Sequence, residues 1–233
     1  MRIFIAILTV AVLAHLTALN GHAQDAVDGQ PAPVPSLQGN LYKKIIEASL
    51  LQEKVLNYQA RKYGPDSVET LKPIEALAWM YMEINNYNDA ESLYMKALQI
   101  RGEKMPPSPE NTKYIGIAHF MLGEISFLRG RYLLAEDHYD RAMEFSVDPE
   151  SKGDVLDRKG KIYKTVGDQE RALNYYLRAA EEYLAAKKST KIDARIKGTY
   201  ASLVEVYSSL GLRLKAKDYQ DLINTIEEER ADK

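Results

Sequence analysis

Residues 156–179 read LDRKGKIYKTVGDQERALNYYLRA and contain two amphipathic segments, one on either side of Gly167. The apolar residues of each segment recur at the three- or four-residue spacing that is typical of an α-helix. Gly160 and Ala172 are small where two packed helices would approach closely, and Tyr176 follows one helical turn later. A glycine just after a helix end favours a turn there. The stretch therefore predicts a helical hairpin.

The hairpin pattern recurs along the chain. In most copies a small residue on the first helix precedes an alanine on the second helix, and these alanines are spaced by about 40 residues. A single hairpin of this kind leaves one face unburied, so successive hairpins must stack into a solenoid. The alanines are Ala90, Ala135, Ala172 and Ala216.

These repeats resemble the tetratricopeptide repeat (TPR) family, whose pattern pairs W-x2-L-G-x2-Y with A-x3-F. The resemblance covers about residues 41–226, and the lead-in QARKYGPDSVETL, the long spacing and the extended helices are similar to the kinesin-light-chain variety. Lys159 and Gln220 depart from the pattern, replacing the usual leucine and the usual aromatic residue. The resemblance implies an all-α, right-handed superhelical solenoid of stacked antiparallel helix pairs, with about four repeats after a leading half repeat.

Glycine and proline after residue 40 fall almost entirely between amphipathic segments, and no segment alternates like a strand. We therefore expect one helical repeat domain at residues 41–230. The predicted helices cover residues 41–63, 68–85, 87–103, 111–129, 132–146, 151–166, 168–188, 192–210 and 213–229.

Residues 1–23, MRIFIAILTVAVLAHLTALNGHA, have the features of a signal peptide. Arg2 precedes an apolar run, and Gly21 and Ala23 are small residues where a signal peptidase would cleave. We expect cleavage before Gln24 and export to the periplasm or the extracellular space. A bacterial envelope is favoured because the chain has no cysteine and no Asn-x-Ser/Thr sequon. An uncleaved membrane anchor is the alternative.

Residues 24–40, QDAVDGQPAPVPSLQGN, are rich in proline. Closely spaced prolines favour an extended conformation, so this segment is expected to be a tether between the signal peptide and the repeats. A strap that folds back on the repeat domain is the alternative.

Composition excludes several functional classes. The chain has 233 residues, a net charge of −2 and no cysteine. A balanced charge argues against the broad basic surface that nucleic-acid binding requires, so we expect no nucleic-acid partner. Without cysteine there are no disulfides, no cysteine-bound metals and no thiol catalysis. No segment after the signal peptide is apolar enough to span a membrane, so we expect no stable membrane insertion after cleavage.

No catalytic or cofactor motif is present, whether a glycine-rich phosphate loop or a GxSxG nucleophile turn. The only histidines after residue 23 are His119 and His138. His119 falls on the predicted packing face. His138 lies beside Asp137 and Asp140, which do not supply enough ligands at a convincing spacing for a metal. We therefore predict a protein that is not an enzyme and has no cofactor and no metal site.

The resemblance implies that the first helices line a concave groove that binds a partner segment. Helical spacing places apolar side chains on this groove face in the first two repeats, where a solvated surface would be polar. This pattern predicts a hydrophobic and aromatic peptide-binding site, with the single tryptophan as its anchor. The alternative is that these residues belong to the core. The candidate groove residues are Trp79, Met82, Ile117, Phe120 and Phe127.

A second candidate surface is electrostatic. Arg158, Lys161 and Lys164 recur at helical spacing in a segment that is rich in basic residues. Such a face would attract an acidic partner or anionic headgroups. An ordinary solvated helix face with local charge pairing is the alternative.

The sequence therefore predicts an exported, non-catalytic scaffold that binds a protein or peptide partner in a concave groove, and it does not identify that partner. The alternative is a self-assembling structural adaptor of the cell envelope. In that case the incomplete first repeat and an uncapped last repeat would leave apolar ends through which the chain forms homodimers.

Overall fold

The computed structural model describes residues 36–231, and all regular structure in this range is helical. The predicted all-α fold class is confirmed. Between residues 63 and 71 a short 3-10 helix covers Val68–Thr70. The α-helices are α1 (Ser36–Tyr63), α2 (Leu71–Glu83), α3 (Tyr87–Lys104), α4 (Pro109–Leu128), α5 (Tyr132–Phe145), α6 (Pro149–Thr165), α7 (Gln169–Ala185), α8 (Thr190–Ser209) and α9 (Arg213–Ala231).

Helices α2 to α9 form four antiparallel hairpins, and α1 packs against α2 as a leading half repeat. The hairpins stack into the right-handed superhelical solenoid that the repeats predicted. We call the first helices of the hairpins (α2, α4, α6 and α8) the inner helices, and their partners the outer helices. Within the described residues, no helix combines the length and the apolar character needed to cross a membrane.

The observed helix boundaries lie within a few residues of the predicted ones, with one exception. Helix α1 begins at Ser36, directly after the proline-rich stretch, so residues 36–40 of the predicted tether are helical. Proline disfavours helix in the residue before it and leaves the following residues free to enter one. The predicted signal peptide and residues 24–35 lie outside the described residues.

The turn inside each hairpin contains one residue with a left-handed backbone. Gly130, Gly167 and Gly211 have φ values of 69°, 84° and 75°, and Asn85 has a φ of 58° at the corresponding place. In each turn the next amide donates to the carbonyl five residues earlier, for example Arg131 N to the previous helix at 2.8 Å. This bond satisfies a carbonyl that the helix end would leave unpaired, which explains why glycine or asparagine stands there.

The loops between hairpins start the next helix with a side-chain cap. A serine or aspartate oxygen accepts a hydrogen bond from the amide three residues later, which satisfies one unpaired N–H at the helix start. A proline follows the cap in two of these loops, where its missing N–H costs nothing. The caps are Ser108 on Asn111 (3.1 Å), Asp148 on Ser151 (2.9 Å) and Ser189 on Ile192 (3.2 Å).

Each of the middle hairpins is closed by a tyrosine ring over a glycine. A Cβ atom at Gly123 would lie 2.5 Å from the ring of Tyr139, and one at Gly160 would lie 2.8 Å from the ring of Tyr176. Tyr139 and Tyr176 are completely buried. These contacts give the physical reason for the predicted small residues on the inner helices: the ring takes the space that a side chain would need.

Candidate interaction surface on the inner helices

The five residues predicted to line a groove occupy different environments. Met82 is 1% exposed and packs in the core with Ala78 and Tyr94. A buried thioether offers no surface to a partner, so the predicted place of Met82 in the groove was wrong. Ile117 is 44% exposed on α4, and Trp79 is half-buried on α2.

The sequence left open whether Phe120 and Phe127 line the groove or belong to the core, and each ring lies partly in both environments. Both rings are half-buried and pack against the core between α4 and α5. The ring of Phe120 lies 5.7 Å from that of Tyr139, and the ring of Phe127 lies 5.6 Å from that of Tyr132. Part of each ring therefore stabilises the hairpin, and only the remainder is available to a partner.

An ion pair joins the inner helices α4 and α6. The Nε of Arg158 lies 2.9 Å from Oε1 of Glu124, and both side chains are largely buried. The hydroxyl of Tyr139, from the outer helix α5, donates to the same carboxylate oxygen of Glu124. The carboxylate of Glu124, buried in an apolar hairpin, thus has one cation at ion-pair distance and one hydrogen-bond donor, which offset the free-energy cost of removing it from water.

Similar contacts join α6 to α8. Each partner residue lies 41 or 42 positions further along the chain, close to one repeat length. This spacing was visible in the sequence, although periodicity alone does not say which neighbouring helix a side chain meets. The contacts are Asp154 with Arg195 (2.5 and 2.7 Å), Asp157 with Thr199 (2.9 Å) and Lys164 with Glu205 (2.6 Å). We call Glu124, Asp154, Asp157, Arg158, Arg195 and Thr199 the ionic row.

Burial and pairing shift the pKa values in the ionic row. Burial raises the pKa of Asp157, an effect that Arg158 and the hydroxyl of Thr199 partly oppose. Burial favours the neutral form of Arg158, but the carboxylates of Glu124 and Asp157 outweigh it and raise the pKa of the guanidinium. For Lys161, burial and the nearby Arg158 lower the pKa. The row is therefore a coupled set of charges held between helices.

This arrangement corrects the predicted electrostatic face. Arg158 is paired inside the ionic row, and Lys164 pairs with Glu205. The ammonium of Lys161 lies 5.2 Å from the ring centroid of Phe127. The three residues do not form a free basic surface, because their charges serve contacts between successive repeats.

The two histidines meet across the second hairpin, which the sequence analysis did not anticipate. Nδ1 of His119 lies 3.3 Å from Nδ1 of His138, and the ring of His119 stacks on Phe145. Burial and the neighbouring His138 lower the pKa of His119 to about 4, and burial also lowers the pKa of His138. Among residues 36–231, no group of three or more histidine and carboxylate side chains is arranged to hold a metal.

A cavity of about 270 Å³ lies between the last two hairpins. Tyr183, Ile196 and Tyr200 contribute to its largely apolar wall, and the ion pair of Lys188 with Glu229 lies on one side. Ligand sites usually place several polar groups around an apolar pocket. The largely apolar wall of this cavity instead indicates a packing gap between the ends of the two hairpins.

Two segments of the chain match family models described as tetratricopeptide repeat, at residues 74–108 and residues 153–184. Among curated proteins, the photosystem I assembly protein Ycf3 of Synechococcus sp. (strain CC9902) is 36% identical over 53 residues. That match covers 23% of this chain and 31% of the relative, so the similarity spans about a third of the relative's length.

Solved structures of similar fold cover most of the chain. BtubC from P. vanneervenii aligns with a TM-score of 0.69 at 19% identity, over 83% of this chain and 80% of that one. A kinesin light chain from Podosopora anserina with nearly identical TPR-like repeats aligns at 0.64 and 16% identity, over 84% and 94% of the two chains. MamA aligns at 0.60 and 20% identity, over 86% and 100%. At these identities the likeness concerns the fold alone.

The two matched segments correspond to the hairpins α2/α3 and α6/α7, and the remaining hairpins repeat the same turns and packing. The solenoid also has the fold of solved TPR proteins, including kinesin light chain repeats. Two hairpins of this chain therefore match the tetratricopeptide repeat, and the whole solenoid has the TPR fold.

Proposed function

We propose that the chain is an exported, non-catalytic scaffold that binds a segment of a protein partner along the inner helices of its first two hairpins. A TPR solenoid is typically a protein–protein interaction scaffold. The observation that carries the finer proposal is the exposure of Ile117: this side chain is 44% exposed on α4, whereas Leu122 and Ile125 on the same helix are buried in the core. An exposed isoleucine on this helix offers an apolar contact for a partner, to which the half-buried rings of Trp79 and Phe120 would add.

The ionic row supports this proposal on one side of the site, because it fixes α4 to the inner helices that follow it. Arg158 and Arg195 connect three successive inner helices, α4, α6 and α8, through Glu124 and Asp154. A surface whose helices are already held at their spacing loses little conformational entropy when a partner binds. The partner segment would then be ordered on a preformed surface.

Photocrosslinking tests this site directly. A photoreactive amino acid would replace Ile117 in one protein and Leu133 in a control, because Leu133 is 86% exposed on the outer helix α5. In native envelope extract, we expect a discrete crosslinked partner from position 117 and none from position 133. Competition by the unlabelled native chain, but not by an Ile117→Glu variant of unchanged helicity, would assign the contact to this surface. A partner captured equally from both positions would contradict the proposal.

Export rests on residues 1–23 and is tested separately. Mass spectrometry of the protein recovered from a bacterial host that exports it should give a mature amino terminus at Gln24. A protein that keeps Met1 and sediments with membranes would instead support the uncleaved anchor.

Self-assembly through two apolar ends is not the function that the geometry favours. At the carboxyl end, α9 exposes mainly charged and polar side chains, including Lys215, Lys217, Asp218 and Glu228. An end of this composition is already capped, because its polar face needs no further helix. Within residues 36–231, the exposed apolar residues of α9 are single leucines such as Leu214 and Leu222, and the contiguous apolar stripe lies on α1. Self-association through the ends stays a prediction.

A further inference from the structure

Helix α1 uses only one of its sides for packing. Ile45 and Ser49 are buried against the following helices, and Leu56 packs beside Leu71 in the first core cluster. On the same side, Glu53 accepts a hydrogen bond from the hydroxyl of Tyr81 at 2.7 Å. These contacts fix the orientation of α1, so the opposite side is directed away from the solenoid.

The opposite side carries an exposed apolar stripe. Leu51, Val55 and Tyr58 are separated by four and three residues, which places them on one face of the helix. They are 62%, 44% and 61% exposed, and Leu50 beside them is 52% exposed. Isolated apolar residues on a surface need no explanation, but a contiguous stripe indicates that something covers it. We call this stripe and its borders the outer face of α1.

Basic residues border the stripe. Five exposed cations lie on α1, and the only exposed carboxylate on the helix is that of Glu47. No ion pair within residues 36–231 involves any of these cations, whereas the cations of the ionic row are paired. The outer face therefore has a net positive charge, although the whole chain has a net charge of −2. The cations are Lys43, Lys44, Lys54, Arg61 and Lys62.

Charge decides between two occupants of this face. In a symmetric pair of α1 helices packed antiparallel, Lys43 and Lys44 of one copy would lie near Arg61 and Lys62 of the other, and like charges would repel. An anionic bilayer complements the five cations and the apolar stripe, and Glu47 is the one exposed carboxylate of the helix that it would repel. Its headgroups attract the cations, its outer hydrocarbon accepts the aliphatic stripe, and its interface suits the amphipathic ring of Tyr58.

We propose that the outer face of α1 docks the solenoid on an anionic lipid bilayer, with Leu51, Val55 and Tyr58 inserted at the headgroup boundary and the surrounding lysines on the phosphates. The helix lies along the membrane surface and does not cross it. The inner helices remain free for a protein partner, so this inference is independent of the proposed function.

Vesicle co-sedimentation of the full chain tests this docking. The vesicles are phosphatidylcholine alone or phosphatidylcholine with about 30% phosphatidylserine. One variant, Leu51→Glu/Val55→Glu/Tyr58→Glu, removes the stripe. A second, Lys43→Glu/Lys44→Glu/Lys54→Glu, reverses charges on exposed side chains that take no part in packing. The control, Leu133→Glu/Leu214→Glu, replaces two leucines that are 86% and 81% exposed elsewhere.

We expect the native chain and the control to bind the phosphatidylserine vesicles, with weak binding to phosphatidylcholine alone. The charge variant should bind at least roughly a hundredfold more weakly, since each of the three lost cations contributes about a fivefold factor and each added glutamate repels the surface. The stripe variant should also lose binding while keeping its helicity. If it unfolds, the charge variant still decides the result.

Three results would overturn the docking. Equal binding by native chain and charge variant would assign vesicle binding to another part of the chain. No binding by the native chain would exclude the bilayer as occupant. Self-association of the native chain without lipid, abolished by the stripe variant, would identify a second copy as the occupant instead.

Discussion

The ring of Tyr139 on the outer helix α5 determines that residue 123 on the inner helix α4 is a glycine. In an isolated helix alanine is more favourable than glycine by about 1 kcal/mol, because glycine loses more backbone entropy on folding. Here a Cβ atom would lie 2.5 Å from the buried ring of Tyr139, which also donates a hydrogen bond to Glu124 and so cannot move freely. Packing therefore outweighs intrinsic propensity at this position.

We expect Gly123→Ala to reverse the usual sign of a glycine-to-alanine change in a helix. Overpacking against Tyr139 should lower the free energy of unfolding by about 1–3 kcal/mol. The matched control is Gly102→Ala on α3, where an added Cβ would meet no atom within 4 Å. The control should be neutral or stabilising by up to about 1 kcal/mol. Urea unfolding of both variants measures the difference, and equal changes would contradict the steric argument.

The histidine pair predicts a pH dependence of stability. His119 keeps a pKa of about 4 in the folded chain, below its ordinary value of 6.5, because burial and His138 disfavour the charged ring. Between these two values the unfolded chain binds the additional proton, so stability is lost as the pH falls from 6.5 towards 4. In His119→Gln, the loss between pH 7 and pH 5 should be about 1 kcal/mol smaller, allowing for the half-exposed ring.

Urea unfolding at several pH values measures this effect, and the native chain is compared with the variant at each pH because other groups also titrate. His138→Gln should shift the profile in the same direction, since burial lowers the pKa of that ring too. Parallel profiles for the native chain and both variants would show that the histidine pair is not the titrating element.

At the scale of the helices, the ionic row connects elements that are far apart in sequence. Glu124 on α4 and Arg158 on α6 meet in a largely buried environment, where an unpaired charge is costly. The pair Lys164 and Glu205 connects α6 to α8 at the surface, with the glutamate side chain 65% exposed. The two pairs differ strongly in burial, so a comparison between them shows how burial changes the effect of removing a cation.

We expect Arg158→Met to destabilise the solenoid by about 3–5 kcal/mol, because Glu124 would remain buried without its cation. The double variant Glu124→Met/Arg158→Met should recover only part of this loss, because it removes the carboxylate of Glu124 but leaves Asp157 without the nearby guanidinium. Lys164→Ala should change stability by less than about 1 kcal/mol. Thermal and urea unfolding of the three variants would check this order. A double variant less stable than Arg158→Met would mean that the buried pair contributes more than its desolvation costs.

The helices themselves could be predicted from the sequence because their signals are local. Gly130, Gly167 and Gly211 mark the hairpin turns, and serine or aspartate marks the helix starts between hairpins. The ionic row and the burial of Met82 could not be predicted in the same way. Helical periodicity shows which residues share a face, whereas the superhelical arrangement decides which neighbouring helix that face meets. The contact between the two histidines could not be predicted for the same reason, because it depends on how α4 and α5 are aligned.

At the scale of the whole molecule, stability should vary along the solenoid. Within residues 36–231, an interior hairpin packs against a neighbour on each side, whereas α1 and α9 are each packed by a neighbouring helix on one side only. In a repeat array of this kind, stability is approximately a sum of repeat and nearest-neighbour terms, so the ends open before the centre. We therefore expect α1 and α9 to have a lower local stability than the central hairpins.

Native-state hydrogen exchange should therefore show the fastest exchange in α1 and α9 and the slowest in the hairpins α4/α5 and α6/α7. Two substitutions separate local from global opening. Ala216→Gly in α9 replaces a residue that is 7% exposed and should cost about 1 kcal/mol or more in that helix. It should increase exchange in α8 and α9 and leave α4 and α5 unchanged.

Gly123→Ala, at the centre, should increase exchange in every hairpin whose slowest amides need global unfolding. If Ala216→Gly increased exchange uniformly along the chain, the solenoid would unfold as one cooperative unit, and its inner helices would have no central region more rigid than the ends.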